Sequence, residues 1–314
     1  MSSQSLHPVG SVAIPAHNEA KVIRRCLDAL LTGLTPGELE VVVSCNGCTD
    51  GTADIVRSSW PDVRVIELAQ ASKPAALRAA DEALTTFPRI YLDADVVLPA
   101  RSARLLVETL QTDSVDAARP LFTYDTSGCD LLVRSYYRAR LAVVAGRHML
   151  HGGVYGLSQP GRARFGAFPN LIADDLYADQ WFDPSEIKVV NDGPALITAP
   201  RRVRDLIRIS RRRKKGDLEL HSLPGNASDT GLSTIRSLRS MATTGVQPAL
   251  DVLVFAAIAL IVRVSVTLVS PAGWSRDESS RIEITVDDTY QGSSKLAGAH
   301  GLRQPCEGER LPTG

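Results

Sequence analysis

The chain has 314 residues, with 35 basic and 35 acidic side chains, so its formal net charge is zero. This length allows one large domain with appendages, or two modest domains, and the charge balance gives no reason to expect a nucleic-acid partner. The five scattered cysteines argue against a secreted disulfide scaffold. The first dozen residues lack the basic and apolar pattern of a secretory signal, so we expect the chain to start in the cytosol.

The first hundred residues alternate short apolar runs with turns and amphipathic segments of helical period. The predicted strands cover residues 11–15, 40–44, 63–67 and 89–92. Between them, apolar residues recur at three- and four-residue spacing, which buries one face of a helix. This rhythm predicts crossover units on a parallel sheet.

Beyond Pro99 the pattern becomes looser. It predicts a helix over residues 102–111, a strand over 116–123 and a helix over 131–144. A loop and strand rich in small residues follow at residues 152–156, where glycines would let a backbone and a ligand approach closely.

Two later segments have contrasting composition. Residues 201–215 are dominated by Arg and Lys, whereas residues 248–269 are almost wholly apolar and long enough to cross a hydrocarbon layer of roughly 30 Å. Asp251 and Arg263 oppose a spanning helix, because charge within a bilayer is unfavourable. A spanning helix is the first interpretation, and an interfacial helix or a soluble core helix are the alternatives.

These patterns predict four regions. Residues 1–200 form an α/β domain with a regular first half (1–100) and a looser second half (101–200). A basic juxtamembrane region (201–247), a hydrophobic helix (248–270) and a mostly loose tail (271–314) follow. The protein is therefore expected at the membrane, with residues 1–200 in the cytoplasm.

Two carboxylates follow the apolar run Ile90-Tyr91-Leu92, in the motif Asp93-Ala94-Asp95. Alternation at a strand end would place both on one side, where they could bind a hard divalent cation through oxygen. Such an ion would neutralise charge on a departing diphosphate. An isolated motif of this kind is more often a solvated turn, so its interpretation depends on the other motifs.

Four motifs occur in order along the chain, at residues 11–19, 41–52, 73–78 and 93–95. They are followed by Gly152-Gly153-Val154-Tyr155-Gly156 and by Ile172-Ala173-Asp174-Asp175-Leu176-Tyr177. The ordered series resembles the nucleotide-binding half of family two inverting glycosyltransferases with the GT-A fold, over roughly the first two hundred residues. The resemblance implies an α/β fold, with a Rossmann-like, mostly parallel sheet flanked by helices, to which the hydrophobic helix is appended. It also implies that residues 1–200 are the catalytic domain, with a nucleotide-binding half (1–100) and an acceptor half (101–200).

The resemblance also implies a nucleotide-sugar site and Mg²⁺ or Mn²⁺ as cofactor. The metal would be held by Asp93 and Asp95. The remaining donor-binding residues would be Pro15, Ala16, Asn18, Glu19, Asn46, Asp50, Lys73, Arg78, Arg211 and Arg212. Cys45-Asn46 stands where many members have two aspartates, so the base stays open, although UDP is favoured over GDP. The alternative for Lys73 and Arg78 is that they lie on a solvated helix face. For Arg211 and Arg212, a solvated helix face or a cytosolic membrane anchor explains the charges equally well.

The acidic pair at positions 174 and 175 is the last element of the site. In the resembling family the second residue of such a pair is usually the catalytic base, so Asp175 is the first choice and Asp174 the second. A base of this kind takes the proton of an acceptor hydroxyl as that oxygen attacks the anomeric carbon. The structural alternative is that Asp174 caps the helix that follows.

The predicted function is transfer of a sugar from a nucleotide-diphosphate donor to a hydroxyl acceptor by metal-assisted single displacement. The acceptor would be lipid-linked or a polysaccharide, which places the enzyme in cell-envelope, exopolysaccharide or glycolipid synthesis. Two alternatives keep the same fold: a sugar nucleotidyltransferase, and a non-catalytic nucleotide-sugar-binding protein at the membrane. A nucleotidyltransferase usually begins with a glycine-rich basic loop, which His17-Asn18-Glu19 is not.

Overall fold

The structure is a computed structural model, and it describes residues 7–112, 114–145, 147–171, 173–221 and 230–268. The predicted loose tail lies outside the described residues. Within them the strands are β1 (Gly10–Ala16), β2 (Leu39–Asn46), β3 (Arg64–Leu68), β4 (Arg89–Leu92), β5 (Val96–Val97), β6 (Ala117–Asp125), β7 (Val154–Leu157) and β8 (Ile187–Thr198).

The described helices cover both faces of the sheet and continue beyond it. They are α1 (Ile23–Leu31), α2 (Thr52–Ser59), α3 (Lys73–Ala83), α4 (Ala100–Leu110), α5 (Leu131–Ala145), α6 (Gln159–Ala163), α7 (Asp174–Asp179), α8 (Val203–His221), α9 (Thr230–Ala242) and α10 (Val246–Leu268). Each strand predicted above is present, and so are the helices predicted after Pro99, with ends shifted by no more than one or two residues.

The strands form one mixed sheet in the order β3-β2-β1-β4-β7-β6-β8-β5. β1 pairs in parallel with β2 and with β4, and β2 pairs in parallel with β3. β7 runs antiparallel to its neighbours β4 and β6, whereas β8 is parallel to β6 and antiparallel to β5. The predicted α/β fold with a mostly parallel sheet is therefore confirmed.

The core lies on both faces of this sheet, as the alternation along β1 requires. Val12 and Ile14 face a cluster that includes Leu27 of α1 and Leu106 of α4. Ala13 faces the opposite cluster, which includes residues of α3 and the segment before α7. Each fully buried Leu or Ile stabilises the fold by roughly 1.5–3 kcal/mol relative to an exposed side chain.

The strand order reverses direction at β1. From β1 the chain moves outward to β2 and β3, then returns so that β4 pairs with the other side of β1. In open α/β sheets, ligands bind beyond the carboxyl ends of the strands at such a switch point. Pro15 and Ala16 end β1, and Asp93 directly follows β4, so the topology places these residues beside the expected crevice.

A third apolar cluster joins α5, α8 and α10. Ile258 and Val262 of α10 are buried there against Tyr136 of α5 and Leu206 of α8. Asp251 lies on the same face of α10 and is 1% exposed. It accepts hydrogen bonds from Ser135 (2.6 Å), Arg138 (2.7 Å from both Nε and Nη2) and Gln247 (3.0 Å). Asp251, one of the two charges that oppose a spanning helix, is thus paired within the protein.

The opposite face of α10 is exposed and mostly apolar, although Arg263 is exposed there as well. Leu250, Leu253, Leu260, Ile261 and Val264 all lie on it. Among the described helices, residues 246–266 are long and apolar enough to cross a membrane, with a mean hydropathy of 2.4, and only 17% of the window is buried in the protein. The predicted basic segment is mostly α8, which packs against α10.

Candidate donor and catalytic site

Lys73, Asp93 and Asp174 meet at the switch point. The Lys73 ammonium lies 2.6 Å from Oδ1 of Asp93 and 2.6 Å from Oδ1 of Asp174. Burial alone would lower the pKa of Lys73, but the charges of Asp174, Asp93 and Asp175 raise it above its ordinary value. The structure therefore joins three motifs that are far apart in the sequence around one cation.

The position of Lys73 follows from the start of α3. The Asn46 side chain, at the end of β2, accepts a hydrogen bond from the backbone of Ser72 (2.9 Å) and donates one to the carbonyl of Ala16 (2.8 Å). Ser72 in turn caps α3 by accepting from the amide of Ala75. Asn46 is 2% exposed, so this amide fixes the first helical residue, Lys73, against the end of the sheet.

Asp93 is held where β4 meets β7. Its backbone amide donates to the carbonyl of Gly153 at 2.8 Å. Gly153 has φ +72°, and a Cβ atom there would lie 2.8 Å from Oδ2 of Asp93 and 3.0 Å from Cγ2 of Val96. Glycine is required at this position both for the backbone conformation and for the space occupied by the carboxylate.

Asp174 and Asp175 open α7. The capping position is Ala173, which makes no side-chain capping bond, and the Asp174 carboxylate contacts Lys73 instead. The structure thus differs from the capping alternative. Burial raises the pKa of Asp174, and burial together with the charge of Asp174 raises the pKa of Asp175 to about 7. A carboxyl group with such a pKa can exchange protons near neutral pH.

Asp93 and Asp174 line a small crevice together with Pro15, Leu77, Tyr91, Leu92, Gly153 and Tyr155. Tyr155 was not singled out by the sequence reasoning. It is 1% exposed, stacks on Tyr91 with ring centroids 5.0 Å apart, and its hydroxyl has no hydrogen-bond partner in the described part of the chain. The only signal for it in the sequence is its place between Gly153 and Gly156.

The predicted nucleotide loops, β1–α1 and β2–α2, are tied to each other. The carboxylate of Asp50 accepts from the backbone of Ala20 (3.0 Å), and the Glu19 amide donates to the Thr52 hydroxyl (2.8 Å). The Asn18 side chain accepts from the Thr49 amide at 2.6 Å. Although burial acts in the opposite direction, the hydrogen bonds from Thr52 and Ala20 lower the pKa of Asp50. The loops at the ends of two neighbouring strands therefore form one rigid wall.

Asn18 has φ 53°, which is unusual for a residue other than glycine. Its left-handed backbone turns the chain at the end of β1, beside Cys48, whose sulfur accepts from the Asn18 amide at 3.3 Å. The Asn46 side chain also binds the end of β1, because its amide nitrogen donates to the Ala16 carbonyl. Its amide oxygen accepts from the Ser72 backbone, so both ends of the amide are already bonded to backbone. Recognition of the base by Asn18 or Asn46 stays a prediction.

The three predicted donor-binding arginines lie on α3 and α8. Arg78 donates to the carbonyl of Phe168 (2.5 Å) and to Oδ1 of Asn170 (3.3 Å), so it holds the segment before α7. Arg211 and Arg212 lie half-buried on α8. Their roles with the diphosphate stay predictions.

The carboxylates at the end of β4 suit a hard divalent cation. Asp93 and Asp95 provide oxygen ligands, and the Asp93 carboxylate already holds a cationic group, the Lys73 ammonium. The backbone carbonyl of Asp95 accepts from Arg25 (3.3 Å), which fixes the turn. Among the described residues no group of three or more acidic, His or Cys ligands converges on one point. These residues therefore fit an ion such as Mg²⁺ or Mn²⁺ that takes its other ligands from water and a diphosphate.

Sequence comparison finds related proteins that match part of the chain. It is 32% identical over 114 residues to chondroitin synthase from Pasteurella multocida (strain Pm70), which covers 34% of this chain and 11% of that protein. It is 32% identical over 116 residues to glycosyltransferase AglD from Haloferax volcanii, covering 34% of this chain and 19% of that protein. The chain thus spans a small part of the length of these relatives.

Comparison with solved structures extends the likeness over most of the chain. The mannosyltransferase PcManGT from Pyrobaculum calidifontis, solved with GDP-Man and Mn²⁺, has a TM-score of 0.54 and 22% identity over 84% of each chain. Glucosyl-3-phosphoglycerate synthase from Mycobacterium tuberculosis, solved with Mn²⁺ and UDP-Glc, has a TM-score of 0.51 and 20% identity over 70% of this chain and 80% of that one. At these identities the likeness establishes the GT-A fold.

The family comparison covers β1 to β7 and ends before Asp174 and Asp175. The model of "Glycosyl transferase family 2" matches residues 11–170, which is just over half of the 314 residues. The match begins at β1 and includes both nucleotide loops, Lys73 and Asp93. The chain belongs to glycosyl transferase family 2.

Proposed function

We propose that the protein is an inverting glycosyltransferase that moves a sugar from a nucleotide-diphosphate donor to an acceptor hydroxyl. The observation that carries this proposal is the placement of Lys73 between Asp93 and Asp174, with Asp175 beside them. This arrangement supplies, in one crevice, carboxylates for a metal, a cation for phosphate and a carboxylate for a proton.

In the proposed reaction the acceptor oxygen attacks the anomeric carbon from the side opposite the diphosphate. The bond from that carbon to the diphosphate oxygen breaks, and the leaving nucleoside diphosphate keeps the electron pair. Asp175 takes the proton of the attacking hydroxyl, so all atoms and charges balance. Because one displacement occurs, the configuration at the anomeric carbon inverts.

Asp175 suits this role because its surroundings favour the protonated form after transfer. Its carboxyl is half-buried and lies near the charge of Asp174, and both effects raise its pKa to about 7. A base of that pKa is ionised at slightly alkaline pH yet binds a proton readily. Asp174, bonded to Lys73, is the less suitable base because its carboxylate is already held by a cation.

The cofactor of the proposed reaction is Mg²⁺ or Mn²⁺, held by Asp93 and Asp95. When bound, such an ion supplies positive charge that stabilises the departing diphosphate. Lys73 contributes a second positive charge at the same end of the crevice, and Gly153 leaves room for the Asp93 carboxylate. Two structural neighbours were solved with Mn²⁺, one with GDP-Man and one with UDP-Glc, so the choice of base stays a proposal, with UDP first.

We further propose that the protein works at a membrane, in cell-envelope polysaccharide or glycolipid synthesis, with its catalytic domain cytoplasmic. The exposed apolar face of α10 and the basic residues of α8 support this location. The partial match to chondroitin synthase supports a polysaccharide or other glycan product. Alkaline carbonate extraction from vesicles distinguishes an α10 that spans the bilayer from one that lies on its surface.

A donor screen tests the proposed activity. The full-length protein is incubated with UDP- and GDP-sugars, with Mn²⁺, Mg²⁺ or EDTA, and released nucleoside diphosphate is measured. Asp95→Ala and Asp175→Asn should each lose activity by about a hundredfold or more. Asp192→Asn is the control, because Asp192 is an exposed residue of β8 paired with Arg101.

Full activity in both site variants would contradict the proposal. Release of pyrophosphate from a nucleoside triphosphate and a sugar phosphate would indicate a nucleotidyltransferase instead. Tight donor binding by calorimetry, with no turnover across acceptors, would indicate a non-catalytic sensor.

A further inference from the structure

A second group of charged residues lies beyond Asp93, on the acceptor half. The charges of four arginines act on the buried imidazole of His151, and we call these five residues the arginine cluster: Arg119, Arg140, Arg147, Arg213 and His151. They come from β6, α5, the segment before β7, and α8. Burial and the four positive charges hold the pKa of His151 well below its ordinary value, so the imidazole adds no further charge.

The cluster is joined by a continuous aromatic wall. Arg140 donates from Nε to the hydroxyl of Tyr124 at 3.0 Å. The ring of Tyr124 lies 5.6 Å from Phe122, and Phe122 lies 4.9 Å from the imidazole of His151, both edge to face. The guanidinium of Arg119 lies over the Phe122 ring, 5.5 Å from its centroid.

Three arginines of this cluster carry a positive charge that no ion pair balances. In the described segments, Arg119, Arg140 and Arg213 form no salt bridge with a carboxylate. Arg119 donates to the carbonyls of Met149, Pro120 and Arg147, which satisfies its hydrogen bonds but not its charge. Asp179, the one acid whose charge acts on Arg119, accepts a bond from the amide of Leu150. Arg119 is buried and Arg140 is half-buried, and positive charge in such places is unfavourable unless a counter-charge binds.

Two polar atoms in the wall have hydrogen-bonding capacity left over. His151 is 8% exposed, and its Nε2 has no hydrogen-bond partner in the described ranges. The Tyr124 hydroxyl accepts from Arg140, which leaves its own hydrogen available to an acceptor. An imidazole N–H, a phenol O–H and guanidinium N–H groups together form a donor set for an anion with several oxygens.

The arginine cluster lies close to the reaction site. His151 is followed by Gly152, whose Cβ position contacts Phe122 at 3.1 Å, and by Gly153, which contacts Asp93. On the other side, the aromatic wall continues through Tyr137, 4.5 Å from Tyr124, to Tyr136, which stacks on Phe255 of α10 at 5.0 Å. An anion at the cluster would thus lie between the proposed metal end and the apolar helix.

We propose that the arginine cluster binds a phosphate group carried by the acceptor substrate. The proposal rests on the proposed function, because it identifies the chemical class of the acceptor for that reaction. Phosphate matches the donor set by charge and by its number of oxygens, and its position orients the acceptor between Asp175 and α10. The phosphate belongs either to a lipid headgroup or to a soluble phosphorylated acceptor.

Binding measurements on the full-length protein in detergent, without donor and without divalent metal, test the proposal. The probes are inorganic phosphate, followed by calorimetry, and vesicles of phosphatidic acid compared with vesicles of phosphatidylcholine. The Lys73 ammonium at the donor end is already paired with Asp93 and Asp174, so binding that depends on Arg140 reports the cluster. Arg140→Gln should weaken phosphate binding at least about tenfold, and Arg140→Lys should keep most of it.

Arg101→Gln is the matched control, because Arg101 is exposed on α4 and pairs with Asp192. Binding of both probes that depends on Arg140 would identify a lipid headgroup, and binding of inorganic phosphate alone would identify a soluble acceptor. Absence of binding to the wild type, or equal binding by wild type and Arg140→Gln, would overturn the proposal. A failure of the proposed function appears separately, as absence of nucleoside diphosphate release in the donor screen.

Discussion

The Lys73 ammonium lies 2.6 Å from a carboxylate oxygen of Asp174, which opens α7. The same ammonium contacts Asp93, so a single side chain joins the end of β4 to the first turn of α7. This bridge places the proposed base next to the proposed phosphate end of the crevice. Its removal should therefore affect chemistry more than folding of the sheet.

Lys73→Met keeps the length of the side chain and removes its charge. We expect the rate of donor turnover to fall by about a hundredfold, because the positive charge at the diphosphate is lost and Asp174 loses its partner. Steady-state kinetics of nucleoside diphosphate release should show the loss mainly in kcat. Lys188→Met, at an exposed position on β8, is the control. A Lys73→Met enzyme with wild-type kcat would exclude a role for the bridge.

The pH dependence of activity should report Asp175. Its pKa is raised to about 7, first by burial and then by the charge of Asp174, and only the ionised form can accept the proton. We therefore expect kcat/KM to fall about tenfold per pH unit below pH 7 and to level off above it. Asp174→Asn removes the neighbouring charge, so the same limb should move to lower pH.

A limb that stays at pH 7 in Asp174→Asn would contradict this assignment.

The effect of pH on folding stability has the opposite direction to its effect on rate. Because the folded-state pKa is above the unfolded value of 3.8, this carboxyl favours the folded state below about pH 4. That contribution is lost as the pH rises toward 7, and urea titrations of wild type and Asp175→Asn would measure it.

The fold was predictable because its determinants are local. Periodicity in the first 150 residues marks most of the strands and helices, since buried faces repeat every two or 3.6 residues, but it does not predict the two-residue strand β5. The contact between Lys73 and Asp174 has no such signal, because it depends on how the chain returns from β3 to β4 and then through β7. Asn46 shows the same limit. Its amide fits a base, and only the structure shows that it joins Ala16 to Ser72.

Two other features lie outside what periodicity can indicate. Asp251 reads as a charge that opposes membrane insertion, yet it is paired with Arg138 on a helix more than a hundred positions earlier. His151 has no metal-ligand spacing, and its surroundings come from four separate elements. Tertiary proximity of charges is set by topology, so single-sequence patterns do not carry it.

The pair of Asp251 and Arg138 should hold α10 on the catalytic domain. The Asp251 side chain is 2% exposed, and Arg138→Ala would leave it with only Ser135 and Gln247 as partners. We expect a loss of roughly 3 kcal/mol in the free energy of unfolding, seen in urea melts of detergent-solubilised protein. Asp251→Leu in the Arg138→Ala background should recover part of it, because no unpaired buried charge remains. Arg134→Ala, on the same helix, serves as the control.

The outer face of α10 should bind lipid. Leu253 and Leu260 are 64% and 62% exposed, and burying each in a bilayer is favourable by about 2 kcal/mol. The double variant Leu253→Gln with Leu260→Gln should therefore weaken binding to vesicles at least tenfold in flotation assays, with an unchanged circular dichroism spectrum. Val9→Gln, at an exposed position just before β1, should have no effect.

Extraction of the protein from vesicles separates the two ways in which α10 could meet a membrane. A helix that lies on the surface is released by alkaline carbonate, and a spanning helix is retained. Vesicle binding that does not change in the double leucine variant would show that this face is not the lipid-binding surface.

Gly153→Ala should displace the carboxylate of Asp93. The new Cβ atom would lie 2.8 Å from Oδ2 of Asp93, and the φ of +72° is strained for alanine. We expect a loss of about 1–3 kcal/mol in the free energy of unfolding, together with a loss of Mn²⁺-dependent donor binding measured by calorimetry. Gly166→Ala is the matched control, because nothing lies within 4 Å of its Cβ position. If Gly153→Ala binds donor and metal as tightly as Gly166→Ala does, Asp93 is not a ligand of the donor-bound metal, because its carboxylate cannot keep its position beside a methyl group at that distance.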